Sequence, residues 1–129
     1  MVAGMSKYRN RKISRDGMTF DSAKEYRRFR ELSLLETAGE IRDLRRQVRF
    51  ELIPVQRIDG KLVERACCYV ADFAYYAVIR GQEEDDAGNV YNVETWEPVV
   101  EDTKGYKTKD YIIKRKLMLW VHGIRIKEV

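Results

Sequence analysis

The chain has 129 residues, of which 36% are charged and 44% hydrophobic, and its 25 Lys and Arg against 21 Asp and Glu give a formal net charge of +4. These values predict one globular domain with a modest core and exclude a disordered protein. The sequence has no secretory signal and no apolar stretch near the ~20 residues of a membrane-spanning helix, so secretion and membrane insertion are not expected.

Basic residues crowd four segments, 7–12, 27–30, 42–49 and 104–116, whereas acidic residues concentrate at 83–86. Uneven positive charge of this kind favours a polyanionic partner such as DNA. The alternative is an ordinary solvated surface of mixed charge.

Residues 1–18 are basic and polar, with a turn signal at residues 16–17 (Asp-Gly) and room for a short strand near Ile13. They predict a loose N-terminal arm ahead of a domain formed by residues 19–129.

A first helix is predicted over residues 22–38. Ser22 followed by Glu25 fits a capping box, in which each residue satisfies a free backbone N–H of the first turn. Gly39 is a natural stop at the other end.

Three strands are predicted next. Apolar and polar residues alternate over residues 47–56, which is typical of a half-buried strand. Residues 59–60 (Asp-Gly) signal a hairpin to a long partner strand over residues 62–79, interrupted by a bend or bulge. An acidic turn over residues 81–89 leads to a third strand over residues 90–104.

A second helix is predicted over residues 108–122, with Thr108 as N-cap and Gly123 as C-terminal stop. A last short strand is predicted within residues 124–129. The predicted core face of the helix consists of Ile113, Leu117, Trp120 and Val121. The order α-β-β-β-α-β is that of an α/β (α+β) domain with a mixed central sheet.

The two cysteines are adjacent, Cys67-Cys68, inside an apolar run. Adjacent cysteines rarely bridge each other, and the chain has no spaced pair for zinc. We therefore expect two reduced, buried strand residues in a cytoplasmic protein.

Two of the predicted strands carry an acid where a buried strand should not have one. Asp72 interrupts an apolar run, and Asp102 with Lys104 ends the third strand. Asp102 and Lys104 are two residues apart and therefore share a face. Carboxylates that converge on a sheet edge suit Mg²⁺, with Mn²⁺ as a substitute, and a lysine beside them can position water or stabilise charge on a phosphate. These are the groups that a metal-dependent hydrolysis of a phosphodiester requires.

Each acid also has a structural interpretation. Asp72 could pair with one of the many arginines, and Asp102 could form an exposed ion pair with Lys104. Glu101 should face the opposite side of the strand and is expected to be structural. The only histidine, His122, lies at a helix C-terminus, where its partial positive charge suits the helix dipole.

Glu25 has two interpretations of equal weight. It completes the capping box with Ser22, and it also shares one helical face with Phe29 and Leu32 because these positions follow 4-then-3 spacing. A carboxylate on an inward face is a candidate for catalytic support.

The helix glutamate, the strand aspartate and the Asp-x-Lys motif in this order resemble the PD-(D/E)xK nuclease superfamily. More closely, the chain resembles a phage-borne family of unknown function within it. The segments that carry the resemblance cover most of the chain: Lys7-Tyr8-Arg9-Asn10, Thr19-Phe20-Asp21-Ser22-x-x-Glu25, Gly39-Glu40-Ile41-x-x-Leu44, Tyr69-Val70-Ala71-Asp72-Phe73, Val100-Glu101-Asp102-Thr103-Lys104-Gly105 and Lys107-Thr108-x-x-Tyr111. One departure is Ala71, which stands where the superfamily has proline before its first acid.

The resemblance implies a restriction-endonuclease-like core and Mg²⁺-dependent hydrolysis of DNA. On it, Asp72 matches the first acid, Asp102 the second, Lys104 the motif lysine and Glu25 the helix-borne acid, with the three acids as metal ligands. Related members include Holliday-junction resolvases, so a branched-DNA resolvase of phage recombination, working as a homodimer in the host cytoplasm, is one expectation. An inactive nuclease fold that binds nucleic acid or serves in packaging is the alternative.

The expected DNA contacts are basic residues of the arm and of the second helix. Those after the acidic strand lie where phosphate contacts would be useful, although ordinary solvation would also explain them. The expected contacts are Lys7, Arg9, Arg11, Lys12, Lys107, Lys109 and Lys114.

Overall fold

A computed structural model describes residues 11–129 of the protein. Ten elements follow one another along these residues: β1 (Ile13–Arg15), β2 (Met18–Phe20), α1 (Ala23–Thr37), β3 (Ile41–Ile53), β4 (Gln56–Ile58), β5 (Lys61–Glu64), β6 (Cys67–Glu84), β7 (Val90–Asp102), α2 (Lys109–His122) and β8 (Lys127–Glu128). None of the described helices is long and apolar enough to span a membrane.

The central sheet has four strands in the order β3-β6-β7-β8. Strands β3, β6 and β7 are antiparallel neighbours, whereas β8 lies parallel to β7, so the sheet is mixed. Read with the two helices in chain order, these strands give α-β-β-β-α-β. The predicted α+β class, element order and mixed sheet are therefore confirmed.

Both helices begin and end where their capping residues predict. The Ser22 side chain accepts a hydrogen bond from Glu25 N, and the Thr108 side chain accepts one from Tyr111 N. Gly39 and Gly123 have φ of 79° and 66°, a left-handed conformation that glycine adopts without a Cβ clash.

The predicted core face of α2 is wrong. Ile113, Trp120 and Val121 are 57%, 84% and 47% exposed, and Leu117 alone of the four is partly buried. The buried stripe of α2 instead carries Tyr111 and Met118. Both stripes have helical spacing, so periodicity alone could not choose between them.

The structure contains three hairpins, and two of them differ in extent from the predicted strands. The turn at residues 59–60 joins β4 and β5 in a separate two-stranded ribbon, with φ of 51° and 76° as a type I′ turn requires. The break after β5 is the predicted interruption of the long strand. Strand β6 continues to Glu84, so the acidic turn shrinks to residues 85–89. In the arm, the Asp16-Gly17 turn joins β1 to β2.

The core lies on both faces of the sheet. The α1-side cluster is formed by Leu32, Ile41, Phe73 and Tyr75. The α2-side cluster is formed by Leu52, Tyr69, Ala71, Ala74, Val100, Tyr111, Met118 and Ile126. Cys67 and Cys68 at the start of β6 are free but only half-buried, which corrects the prediction of full burial.

Strand β6 changes its buried face at Asp72. Ala71 packs in the α2-side cluster and Phe73 in the α1-side cluster, although residues two apart share a face in a regular strand. On the neighbouring strand, Gln47 lies between the pairs that bracket Asp72 and has φ of 51°. The sheet is thus locally distorted where the predicted acid lies.

Candidate metal centre

Asp72 and Asp102 are cross-strand neighbours. The pairing of β6 with β7 runs from Glu84 opposite Val90 to Phe73 opposite Glu101, and the next position in the same register is Asp72 opposite Asp102. Burial raises the pKa of Asp102 to about 7, with the hydrogen bond and the negative charge of the Asp72 carboxyl acting in the same direction. The structure therefore brings the two strand acids together.

Asp102 is also in contact with the motif lysine. Its Oδ2 atom lies 3.2 Å from Lys104 Nζ and accepts a hydrogen bond from the Tyr69 hydroxyl. The ammonium group lies 4.4 Å from the centre of the Tyr111 ring, a cation–π contact that holds it beside the carboxylate. Because Asp102 is only 2% exposed, this pair is not the exposed ion pair of the structural interpretation.

Asp72 is held by Thr103 and not by an arginine. Its Oδ2 atom accepts hydrogen bonds from Thr103 N at 2.8 Å and from Thr103 Oγ1 at 2.7 Å. Among residues 11–129, no arginine lies within ion-pair distance of this carboxylate. The residue between Asp102 and Lys104 thus fixes the orientation of the other strand acid.

Glu25 serves the helix and faces the same centre. Its Oε2 atom accepts from Asp21 N at 3.0 Å, so the reciprocal capping bond goes to the residue before Ser22. Its Oε1 atom accepts from Gln47 Nε2 at 3.0 Å. The side chain is 1% exposed, and its burial, followed by the charge of Asp72, raises the pKa of Glu25.

Asp21 is a member of the acidic group that the sequence analysis did not single out. One carboxylate oxygen each from Asp21, Glu25 and Asp72 lie within 4.8 Å of one another. The signal in the sequence was its position: Asp21 directly precedes the N-cap residue, close to a glutamate, Glu25, that was expected to face inward.

Glu101 lies on the other face of β7, as the strand alternation predicts. Its two carboxylate oxygens accept hydrogen bonds from Arg28 Nε and Nη2, both at 2.7 Å, and the Tyr75 hydroxyl donates to it as well. This fully buried carboxylate is therefore neutralised by its own partners and links β7 to α1.

The basic residues are less concentrated than the acids. Lys7 and Arg9 lie outside the described residues, whereas Arg11 and Lys12 are exposed. Lys114 and Lys104 line a groove with Tyr111 and Thr108. Lys109 is exposed, and Lys107 forms an ion pair with Glu128 at 3.5 Å.

His122 has a structural environment. It is the last residue of α2, its Nε2 atom lies 2.6 Å from the carbonyl oxygen of Glu51, and its ring meets the edge of Phe50. It lies away from the acids.

The carboxylates fit a hard divalent cation. Thr103 donates to Oδ2 of Asp72, and Tyr69 and Lys104 contact Oδ2 of Asp102. Adjacent carboxylates repel each other, and a cation would relieve the repulsion that contributes to the raised pKa of Asp102. Oxygen ligands are those that Mg²⁺ and Mn²⁺ accept.

The fold and the site define a small α+β domain with a carboxylate and lysine centre where its central sheet is distorted. Residues 5–123 match the family described as "Protein of unknown function (DUF1064)". The chain belongs to that family. No curated protein and no solved structure matches the chain.

Proposed function

We propose that this protein is a Mg²⁺-dependent DNA endonuclease of the PD-(D/E)xK type. The observation that carries the proposal is the position of Asp72 and Asp102 on neighbouring strands. Thr103 N donates to Asp72 Oδ2 at 2.8 Å, and Lys104 Nζ lies 3.2 Å from Asp102 Oδ2. Two carboxylates held this close weaken the fold when no cation lies between them, because the charge of Asp72 raises the cost of ionising the buried Asp102. The sequence resemblance supports the same assignment.

In this proposal, Asp72, Asp102 and Glu25 hold the cation, with Mn²⁺ as an accepted substitute. When bound, the ion supplies Lewis-acid chemistry that favours hydroxide as the attacking group and neutralises charge on the phosphate. Thr103 keeps the Asp72 carboxylate oriented through two hydrogen bonds.

Lys104 acts on the reacting groups and not on the cation. Its side chain is 26% exposed, so it reaches solvent while the ammonium stays beside Asp102 and over the Tyr111 ring. From there it can orient the attacking water or donate to a phosphate oxygen as charge builds in the transition state.

DNA is the proposed partner because basic residues occur in the N-terminal arm and in the groove beside Lys104. The exposed Arg11 and Lys12, with Lys7 and Arg9 of the same arm, would contact phosphates. Lys114 would do so in the groove that it lines with Lys104, and Lys107 and Lys109 would do so at the start of α2. A branched substrate of phage recombination is the finer proposal, and a resolvase would act as a C2 dimer in the host cytoplasm so that two active sites meet opposing strands.

Cleavage of a synthetic four-way junction, compared with a linear duplex of matched sequence, tests this function. We expect cutting with Mg²⁺ or Mn²⁺ and none with EDTA. If the protein binds both DNA forms but cuts neither with either metal, the nuclease proposal fails. The alternative, an inactive nucleic-acid-binding or packaging-associated module, would then replace it.

A further inference from the structure

One part of the sheet surface is not covered by a helix among the described residues. On β6, Phe73, Tyr75 and Ala77 pack on the α1 side, so the alternating residues Tyr76 and Val78 face the other way. Helix α2 covers only the end of that face nearer the metal centre. The remaining area, named here the open sheet face, is formed by Arg42, Arg45, Tyr76, Val78 and Trp96.

The open sheet face combines aromatic rings with positive charge that no carboxylate balances. The Arg42 guanidinium lies 4.3 Å from the centre of the Trp96 ring and 5.9 Å from that of Tyr76. Neither Arg42 nor Arg45 forms an ion pair with any residue from 11 to 129.

The next arginine along the face, Arg80, is different. It forms ion pairs with Glu40 and Glu94, so the protein itself neutralises it. The uncompensated charge therefore lies at Arg42 and Arg45, beside the aromatic rings.

We propose that the open sheet face binds an unpaired DNA strand that leads away from the metal centre. This inference rests on the proposed function and specifies its substrate class as DNA with a single-stranded portion, such as a flap or an opened branch. Bases stack on aromatic rings and on arginine planes, and phosphates are attracted to the same arginines. A duplex hides the faces of its bases, so an arginine backed by tryptophan suits an unpaired strand.

The open sheet face lies beyond the part of the sheet that α2 covers, so an unpaired strand that joins it to the acids passes around α2. Tyr76 is four residues from Asp72 on β6, and Trp96 is six residues from Asp102 on β7. At about 3.3 Å per strand residue, the rings lie roughly 13–20 Å from the acids. A strand that passes around α2 therefore spans at least roughly four to six nucleotides at about 3.4 Å each.

The test measures binding in EDTA, where no metal is present and cleavage plays no part. The Trp120→Phe variant leaves Trp96 as the only tryptophan of the chain. In this background, an oligothymidylate of about 12 nucleotides should quench the tryptophan fluorescence. Adding Arg42→Ala should weaken its binding roughly 10-fold, and Arg42→Lys should weaken it as well, because lysine keeps the charge but lacks the plane.

The matched control is Arg30→Ala, which removes an exposed arginine from α1 on the opposite side of the sheet. It should leave the affinity within about twofold, because positive charges far from the strand contribute little. Equal losses in Arg30→Ala and Arg42→Ala, or no loss in Arg42→Ala, would overturn the inference. An equal dependence on Arg42 for duplex of the same length would do so too.

These outcomes are separable from failure of the proposed function. Mg²⁺-dependent cleavage without Arg42-dependent binding retains the nuclease and overturns the role of the open sheet face. Arg42-dependent binding without any cleavage retains the face and overturns the nuclease.

Discussion

Two adjacent acids at the end of β7 have opposite environments. Glu101 accepts from Arg28 and Tyr75 on one side of the sheet, so its charge is compensated. Asp102 faces Asp72 on the other side, and its pKa is raised to about 7. The alternation of a strand therefore separates a charge-compensated carboxylate from one that faces a second acid within a single dipeptide.

The raised pKa of Asp102 predicts how metal-free stability depends on pH. The folded chain keeps a proton on Asp102 that the unfolded chain loses near its ordinary pKa of 3.8, so this carboxyl makes stability fall as pH rises toward about 7. The Asp102→Asn substitution removes this dependence of stability on pH, because asparagine does not titrate. In EDTA, the variant should be more stable than the wild type by about 1 kcal/mol or more near pH 8, with the difference vanishing near pH 4.

Urea unfolding of both proteins at the two pH values measures this difference. A wild type that is equally or more stable than Asp102→Asn near pH 8 would show that Lys104 and Tyr69 compensate the Asp102 charge fully.

Lys104→Ala should separate catalysis from cation binding. The variant loses the ammonium but keeps the three carboxylates, so Mg²⁺ should still raise its melting temperature while single-turnover cleavage falls by about 10²-fold or more. An unchanged cleavage rate would return Lys104 to a purely structural ion pair. A lost Mg²⁺ response would place it among the groups that build the cation site.

At the scale of elements, capping and turn residues predicted the structure better than the spacing of apolar residues along a helix did. The caps at Ser22 and Thr108 and the Asp59-Gly60 turn depend on a few neighbouring residues, and all three were correct. The buried face of α2 is the stripe of residues that packs against the sheet, and only tertiary packing decides which stripe that is. Thr103 as the partner of Asp72 was likewise not foreseen, because it requires the register of β6 against β7.

The Arg28–Glu101 pair joins α1 to the central sheet, and breaking it should destabilise the fold. Glu101→Gln leaves Arg28 with the exposed Glu31 as its remaining counterion. We expect the free energy of unfolding to fall by about 2–4 kcal/mol, less than for a fully buried pair because the Arg28 side chain is 20% exposed. Thermal or chemical unfolding measures the change.

Glu94→Gln is the matched control for this prediction. It removes the same charge from an ion pair with Arg80 in which both side chains are more than half exposed. It should cost no more than about 0.5 kcal/mol. Similar losses in the two variants would mean that the buried pair contributes no more than a surface one.

At the scale of the whole molecule, the acids occupy one centre while the basic residues are spread around it. Asp72 and Asp102 meet at the distorted part of the sheet, and Lys114, Arg42 and the exposed Arg11 lie on different parts of the chain. A substrate that contacts all of them would have to extend across the domain, as a polyanion does.

The N-terminal arm tests this arrangement. Strand β1 begins at Ile13, so deletion of residues 1–12 leaves every described element intact, and the melting temperature should stay unchanged. The deletion removes Lys7, Arg9, Arg11 and Lys12. For duplex DNA, the slope of log affinity against log salt should become shallower by about 0.9 for each phosphate that these residues neutralise.

Fluorescence anisotropy with labelled duplex across a salt series measures that slope, and the saturated single-turnover rate provides the control. The rate should change less than the affinity, since phosphate contacts position DNA without performing chemistry. An identical slope would remove the arm from the DNA-binding surface.

The most direct test of the central claim compares cleavage by the wild type and by Asp102→Asn, with Mg²⁺ and with EDTA, on a four-way junction. The asparagine keeps the shape of the side chain and removes a ligand charge, so circular dichroism and DNA binding in EDTA should be unchanged. The proposed metal centre predicts Mg²⁺-dependent cutting by the wild type and none by the variant. Mg²⁺-dependent cutting by a pure sample of Asp102→Asn at the wild-type rate would contradict it.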